Sequence, residues 1–120
     1  GIRAEVIDPI WLSPLGMETI LESVRKTKRL CAIDNGWTTC GASAEIVSRT
    51  VEALQGTVDL RVKRMGFAPV TCPTAPNLED LFYPNGRTIA AAAYQLVTGN
   101  NDWLPEEREE LKDMEFKGPF

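Results

Sequence analysis

The chain contains no histidine, so the one side chain that titrates near neutrality without help from its surroundings is missing. Neither a Ser/His/Asp nor a Cys/His constellation can be assembled from it. A stand-alone acid/base enzyme would need a tuned carboxylate, lysine or cysteine, and no motif advertises one. Cysteine is scarce and badly spaced for metal: Cys31, Cys40 and Cys72 contain no C-x-x-C pair, which leaves a metal site of the usual spacing unsupported. The three read as reduced thiols of an intracellular protein, with Cys31, inside an apolar strand, acting as a small hydrophobe. Long apolar runs are absent too, so the sequence offers no membrane span. Nor is there a surplus of basic residues. Thirteen Lys and Arg against seventeen Asp and Glu leave a net charge of −4, which argues against nucleic acid as the main partner. No secretory signal opens the chain, and its start at Gly1 rather than Met suggests a fragment or a processed product.

What is present suits a single α/β domain. At 120 residues the chain is long enough for a core, and 43% hydrophobic with 25% charged residues is ordinary globular composition. Ile2 to Asp8 alternates weakly and carries β-branched residues, which predicts a strand. Met17, Ile20, Leu21 and Val24 recur at helical spacing, and Arg25, Lys26 and Lys28 close that helix favourably for its dipole. Gly16 falls at its N-cap. Leu30 to Ile33 is apolar throughout, the signature of a parallel strand buried on both faces. A turn at Asp34-Asn35-Gly36 follows, then a helix from about Cys40 to Leu54, capped by Thr38 or Thr39, with Ala44, Val47, Val51 and Leu54 on one face. Helix, strand, glycine-bearing turn and helix from Met17 to Ile46 form the unit from which open α/β sheets are built.

Leu60 to Met65 reads as a further strand, charged on one side. Val70 to Pro76 is extended, and Asn77 caps a short helical turn from Leu78 to Phe82. Asn85 caps the last clear helix, whose stripe is Ile89, Ala92, Ala93, Leu96 and Val97 and whose end is Gly99. Beyond it the chain is acidic, with only Leu104, Leu111 and Met114 near helical spacing, as in a short surface helix with a loose tail or an arm against another subunit.

Motifs are weak as chemistry. Gly36 and Gly41 follow a strand and precede a helix but do not make G-x-G-x-x-G, and Trp37 fills the space a pyrophosphate needs. Trp37 therefore reads as a cover for the strand end. Glu45, near a helix start, reads either as a general base or as a structural carboxylate satisfied by backbone N–H groups or an arginine. Arg61, Lys63 and Arg64 are either a solvated face with an interface salt bridge or an anion or partner contact. Gly99-Asn100-Asn101 lacks the G-D-G and spacing of a thiamine diphosphate signature and reads as a helix end.

EVID at 5–8, METILESVRKTKRL at 17–30 and AIDNGWTTCGASAEI at 32–46 resemble the C-terminal domain of the beta subunit of 2-oxo acid dehydrogenases, the decarboxylating first component of the pyruvate, branched-chain and acetoin complexes. The likeness continues through Arg64-Met65-Gly66-Phe67, Pro73-Thr74-Ala75, Leu78-Glu79 and Pro84, and covers about residues 2 to 98. It implies a transketolase C-terminal-like fold: three layers, α/β/α, around a mixed, mostly parallel sheet of about five strands. Residues 1–99 then form that domain and 100–120 an acidic C-terminal extension. The resemblance implies a domain with no catalytic, metal or cofactor-binding residue of its own. Thiamine diphosphate and magnesium belong to the parent enzyme and are held outside this fragment. The implied partners are an alpha subunit, a second beta subunit and the dihydrolipoyl acyltransferase core, with no nucleic acid and no membrane, in bacterial cytoplasm or mitochondrial matrix. Asp59, Arg61 and Trp37 are the candidate partner-binding residues; Gly36, Gly41, Glu45 and Arg64 are structural markers of the family. Gly16, where an Asp cap is usual, Asp34-Asn35 and the acidic extension depart from its pattern. Two other readings are a free-standing regulatory or ligand-binding module of the same fold and a domain of another transketolase-like thiamine enzyme.

Overall fold

A computed structural model describes residues 1–106. The elements in order are α1 (Glu18–Thr27), β1 (Arg29–Trp37), α2 (Ala42–Leu54), β2 (Arg61–Phe67), α3 (Pro76–Phe82) and α4 (Gly86–Thr98). β1 and β2 pair in parallel, with Arg29 opposite Arg61, Cys31 opposite Lys63 and Trp37 opposite Phe67. α2 is the crossover between them, as the strand–turn–helix pattern predicts.

Because side chains alternate along a strand, each face of this ribbon has its own partners. Leu30, and Leu60 just before β2, pack into a core of Met17, Ile20, Val24 and Leu54 supplied by α1 and α2 and their flanks. Arg29 and Lys63 point the other way and bond to α4: Arg29 Nε donates to the Leu96 carbonyl at 3.0 Å, and Lys63 Nζ to Gln95 Oε1. Helices thus lie on both faces of the sheet.

Several local expectations give way. Ile2–Asp8 forms no strand: Val6 is 92% exposed, and only Ile7 reaches the core. The segment is tied instead to α1, where Ser23 Oγ and Lys26 Nζ donate to the Glu5 carboxylate at 2.8 and 3.5 Å. Those contacts, the serine first, hold the Glu5 carboxyl below its ordinary range. Among the described residues the sheet has two strands where about five are expected. Residues 70–75 form no strand: Pro73 has no N–H for a ladder, and the Val70 N–H is turned back to the Ala68 carbonyl. β1 is not buried on both faces either. Ala32 is buried, but Ile33 is 45% exposed, because α4 bonds over the first rungs of that face, at Arg29 and Lys63.

The helix ends also differ. α1 starts from Met17 rather than Gly16, α3 from Ala75 with Pro76 at its first position rather than from Asn77, and α2 from Gly41 rather than Thr38 or Thr39, none with a side-chain cap. On α2 the buried residues are Ser43, Thr50 and Leu54, while Val47 and Val51 are half-buried. Thr50 tolerates complete burial because its hydroxyl donates to the Ile46 carbonyl one turn back, at 2.7 Å.

Asn85 caps α4 as expected. Its side chain accepts from the Thr88 N–H at 2.9 Å, and Thr88 Oγ1 accepts in return from the Asn85 N–H at 3.0 Å. Replacing Asn85 with Ala lowers stability by about 1 kcal/mol in a denaturant melt, the usual worth of such a cap. After Gly99 the chain turns back along α4. Trp103 lies on Tyr94 with ring centroids 4.5 Å apart, and Arg87 Nε donates to the Pro105 carbonyl at 3.1 Å. Of the proposed extension, residues from 107 onward, including Leu111 and Met114, lie outside the described residues.

Candidate functional site

The parallel strands have two ends, about 20 Å apart for the seven residues of β2. The candidate residues divide between them. Gly36, Trp37 and Gly41 are at the carboxyl ends of the strands with Arg64 nearby, where open α/β sheets place their ligand crevice. Asp59 and Arg61 are at the other end. Glu45 belongs to neither, on an exposed face of α2 with its Oε1 2.8 Å from Nε of Arg49 one turn on. A carboxylate so paired in solvent contributes a few tenths of a kcal/mol to the helix.

At the carboxyl end the backbone itself is close-packed. A Cβ on Gly41 would strike the Trp37 carbonyl oxygen, and one on Gly66 would strike that of Gly36. These glycines allow the two strand exits and the α2 start to touch, the close backbone approach that small residues at the start of α2 lead one to expect of Gly41. Arg64 Nη1 donates to the Thr38 carbonyl at 2.7 Å and pins the same loop. Trp37 covers the strand end by edge-on contact with Phe67 and Phe82, centroids 5.8 and 6.2 Å away, yet stays 48% exposed.

Phe67, Phe82 and Tyr83 complete an aromatic cluster that the sequence reading overlooked. Its signal was faint: one aromatic at a strand end and two at the end of a short helix. A shallow cleft of about 290 Å³ runs beside it, between Arg64 and Thr88. Tyr83 Oη is 3.8 Å from Cys72 Sγ, and this thiol contact, more than burial, raises the phenol above its ordinary pKa. Nothing here supplies a nucleophile with an adjacent base. The arrangement is an apolar shelf, able to pack a partner.

The opposite end carries a larger groove, about 510 Å³, between β2 and the end of α4, lined by Arg61, Lys63, Gln95, Leu96, Gly99 and Asn101. Cys31 lies opposite Lys63 on this face; burial raises its thiol pKa, which the lysine partly offsets. It acts there as a small hydrophobe rather than a reactive thiolate.

No three Cys, Asp or Glu side chains among the described residues converge on a point where they could hold a metal ion by themselves. No helix among them is long and apolar enough to cross a membrane.

The family model described as "Transketolase, C-terminal domain" matches residues 1–89. The chain is 43% identical over 93 residues to the mitochondrial pyruvate dehydrogenase E1 component subunit beta of Pisum sativum, an alignment covering 78% of this chain and 26% of the relative. It is 35% identical over 99 residues to the acetoin:2,6-dichlorophenolindophenol oxidoreductase subunit beta of Cupriavidus necator, covering 82% and 29%. The corresponding protein of Bacillus subtilis is 33% identical over 97 residues, 81% of this chain and 28% of the relative. The chain therefore spans under a third of the length of these curated relatives. No solved structure is a significant match. By the family model's span over most of its length, the chain belongs to the transketolase C-terminal domain family.

Proposed function

We propose that this chain is the C-terminal domain of the beta subunit of a thiamine diphosphate-dependent 2-oxo acid dehydrogenase, and that it serves assembly rather than chemistry. The observation that carries this reading is the similarity to dehydrogenase and oxidoreductase beta subunits along about four fifths of the chain. The parent enzyme would decarboxylate a 2-oxo acid and pass the acyl group to lipoyl, with thiamine diphosphate and magnesium held outside this domain. Such an enzyme works in bacterial cytoplasm or the mitochondrial matrix.

Within this reading the Trp37 shelf faces the alpha subunit or the second beta subunit, since half-exposed aromatics on a rigid strand end make interface anchors. Asp59 and Arg61, exposed at the other end, are offered to the acyltransferase core. The sheet grows toward the family's five strands when Ile2–Asp8 and Val70–Thr71 join its open edges. The outer edges of β1 and β2, unpaired among the described residues, support that addition, because exposed ladders favour pairing. Residues 1–99 are the domain of this reading and 100–120 its appended segment.

Calorimetric titration with thiamine diphosphate and magnesium tests the division of labour. The expected result is no magnesium-dependent binding in the micromolar range; a micromolar, magnesium-dependent isotherm that excess inorganic phosphate does not suppress overturns it.

A further inference from the structure

We propose that the groove between β2 and the C-terminal end of α4 is a binding site for a small, doubly charged oxyanion of the phosphate class. This goes beyond the assembly role and does not depend on it.

The argument begins with an arrangement that costs the fold stability. Arg29 and Arg61 are direct neighbours across the ladder, and Lys63 follows two residues on, so alternation puts all three cations on one face. Like charges opposed on a sheet repel. Their partners are neutral: Arg29 donates to the carbonyls of Thr27 and Leu96, and Lys63 to the Gln95 amide oxygen. Arg61 gives its backbone N–H to the Lys28 carbonyl, but its guanidinium has no hydrogen bond or ion pair among the described residues, and Asp59, two residues before it, pairs with none of the three.

The end of α4 does not use up this charge. A helix C-terminus presents about half a negative charge. Here Arg29 meets the Leu96 carbonyl, and the Gly99 N–H takes that of Gln95. The Arg61 guanidinium is left over, and with Lys63, whose partner is the neutral Gln95 amide, it lines an open groove of about 510 Å³ that the Gln95 and Asn101 side chains complete. A guanidinium fork, an ammonium and two amides that can turn their NH₂ groups inward form a donor set for a tetrahedral oxyanion. A local rule broken without an internal remedy is what functional or strained sites show.

The test uses the 120-residue chain and inorganic phosphate, with chloride at matched ionic strength, reading the thermal midpoint. The midpoint rises saturably at low millimolar phosphate. Substituting Arg61→Gln and Lys63→Gln together weakens the response at least about tenfold, since a hydrogen bond to a charged group is worth about that factor. Without phosphate the double variant melts no lower than the parent, because the repulsion is relieved. Arg25→Gln, an exposed cation on α1, leaves the response intact. A rise no greater than in chloride, or one that climbs linearly and survives in the double variant as solvent exclusion would, overturns the site. So does equal loss in Arg25→Gln. Should the double variant fail to fold, amide shifts of the parent decide: phosphate-induced changes centred on residues 61–63 and 95–101 support the site, and changes spread over all surface cations overturn it.

Discussion

Leu54→Ala is expected to cost about 2–5 kcal/mol, the range for emptying a well-filled leucine site. Leu54 is 2% exposed and sits where the last turn of α2 meets Met17, Ile20 and Val24 of α1 and its start. The Leu54 N–H and carbonyl are committed to the end of α2 and to the turn after it, where Thr57 and Val58 both donate to its carbonyl. The backbone there cannot collapse freely into the vacated space, which favours the upper half of the range. Since a small domain has only about 5–15 kcal/mol in total, the variant should lose a large share of its margin against unfolding. Urea unfolding followed by circular dichroism measures it, with Val47→Ala as the comparison. Val47, on the same helix but half-buried, should cost about 1 kcal/mol or less. Equal losses for the two would mean that the α1–α2 seam is not the core.

Phe82→Ala should cost about 3–5 kcal/mol, and its effect should be local first. Phe82 is the one buried side chain of α3; Leu78 and Leu81 beside it are exposed. It stacks on Phe67 at 4.8 Å, meets Trp37 and Tyr83 edge-on, and its carbonyl accepts the Ala68 N–H just past β2. Aromatic pairs of this geometry add about 0.5–1.5 kcal/mol each beyond the area they bury. Without the ring, α3 loses its buried contact with the sheet and keeps the Ala68 bond to its last carbonyl, and seven residues are too few to stay helical alone. Hydrogen exchange should accelerate across residues 76–84 well below the global melt, and Trp37 emission should shift to the red as its neighbour leaves. Unchanged exchange in α3 would show that other contacts hold it.

How much of this was legible beforehand depended on whether a residue's partner was close in sequence. The α1 stripe, the Asn85 cap and the Gly99 end are local and were read correctly, because helical spacing and capping act within one or two turns. The buried face of α2 was read in part: Leu54 stood out as apolar, but Thr50 did not, since its burial depends on a hydroxyl bonded to its own helix. Ile2–Asp8 has strand-forming residues but not the neighbour that would make them one, and a strand is stable only when paired.

The candidate sites follow the same division. Trp37 could be named from its place after a strand and Arg61 from its charge. Close backbone approach at Gly41 could be expected from the small residues around it; that Gly66 shares it, and that Phe67 and Phe82 converge on Trp37 with Tyr83 against both, came from segments up to 46 residues apart meeting at one sheet end. The groove is similar. The sequence grouped Arg61, Lys63 and Arg64, whereas alternation sends Arg64 to the Thr38 loop and brings in Arg29 from the neighbouring strand.

By itself, then, the sequence determined the helices, the parallel crossover and the family, because periodicity, caps and residue identity are written along one dimension. Tertiary structure decided which strand edges are paired, which glycines must stay glycine and which cations share a face. Those properties belong to pairs of distant segments, and neither segment carries them until the two are packed together.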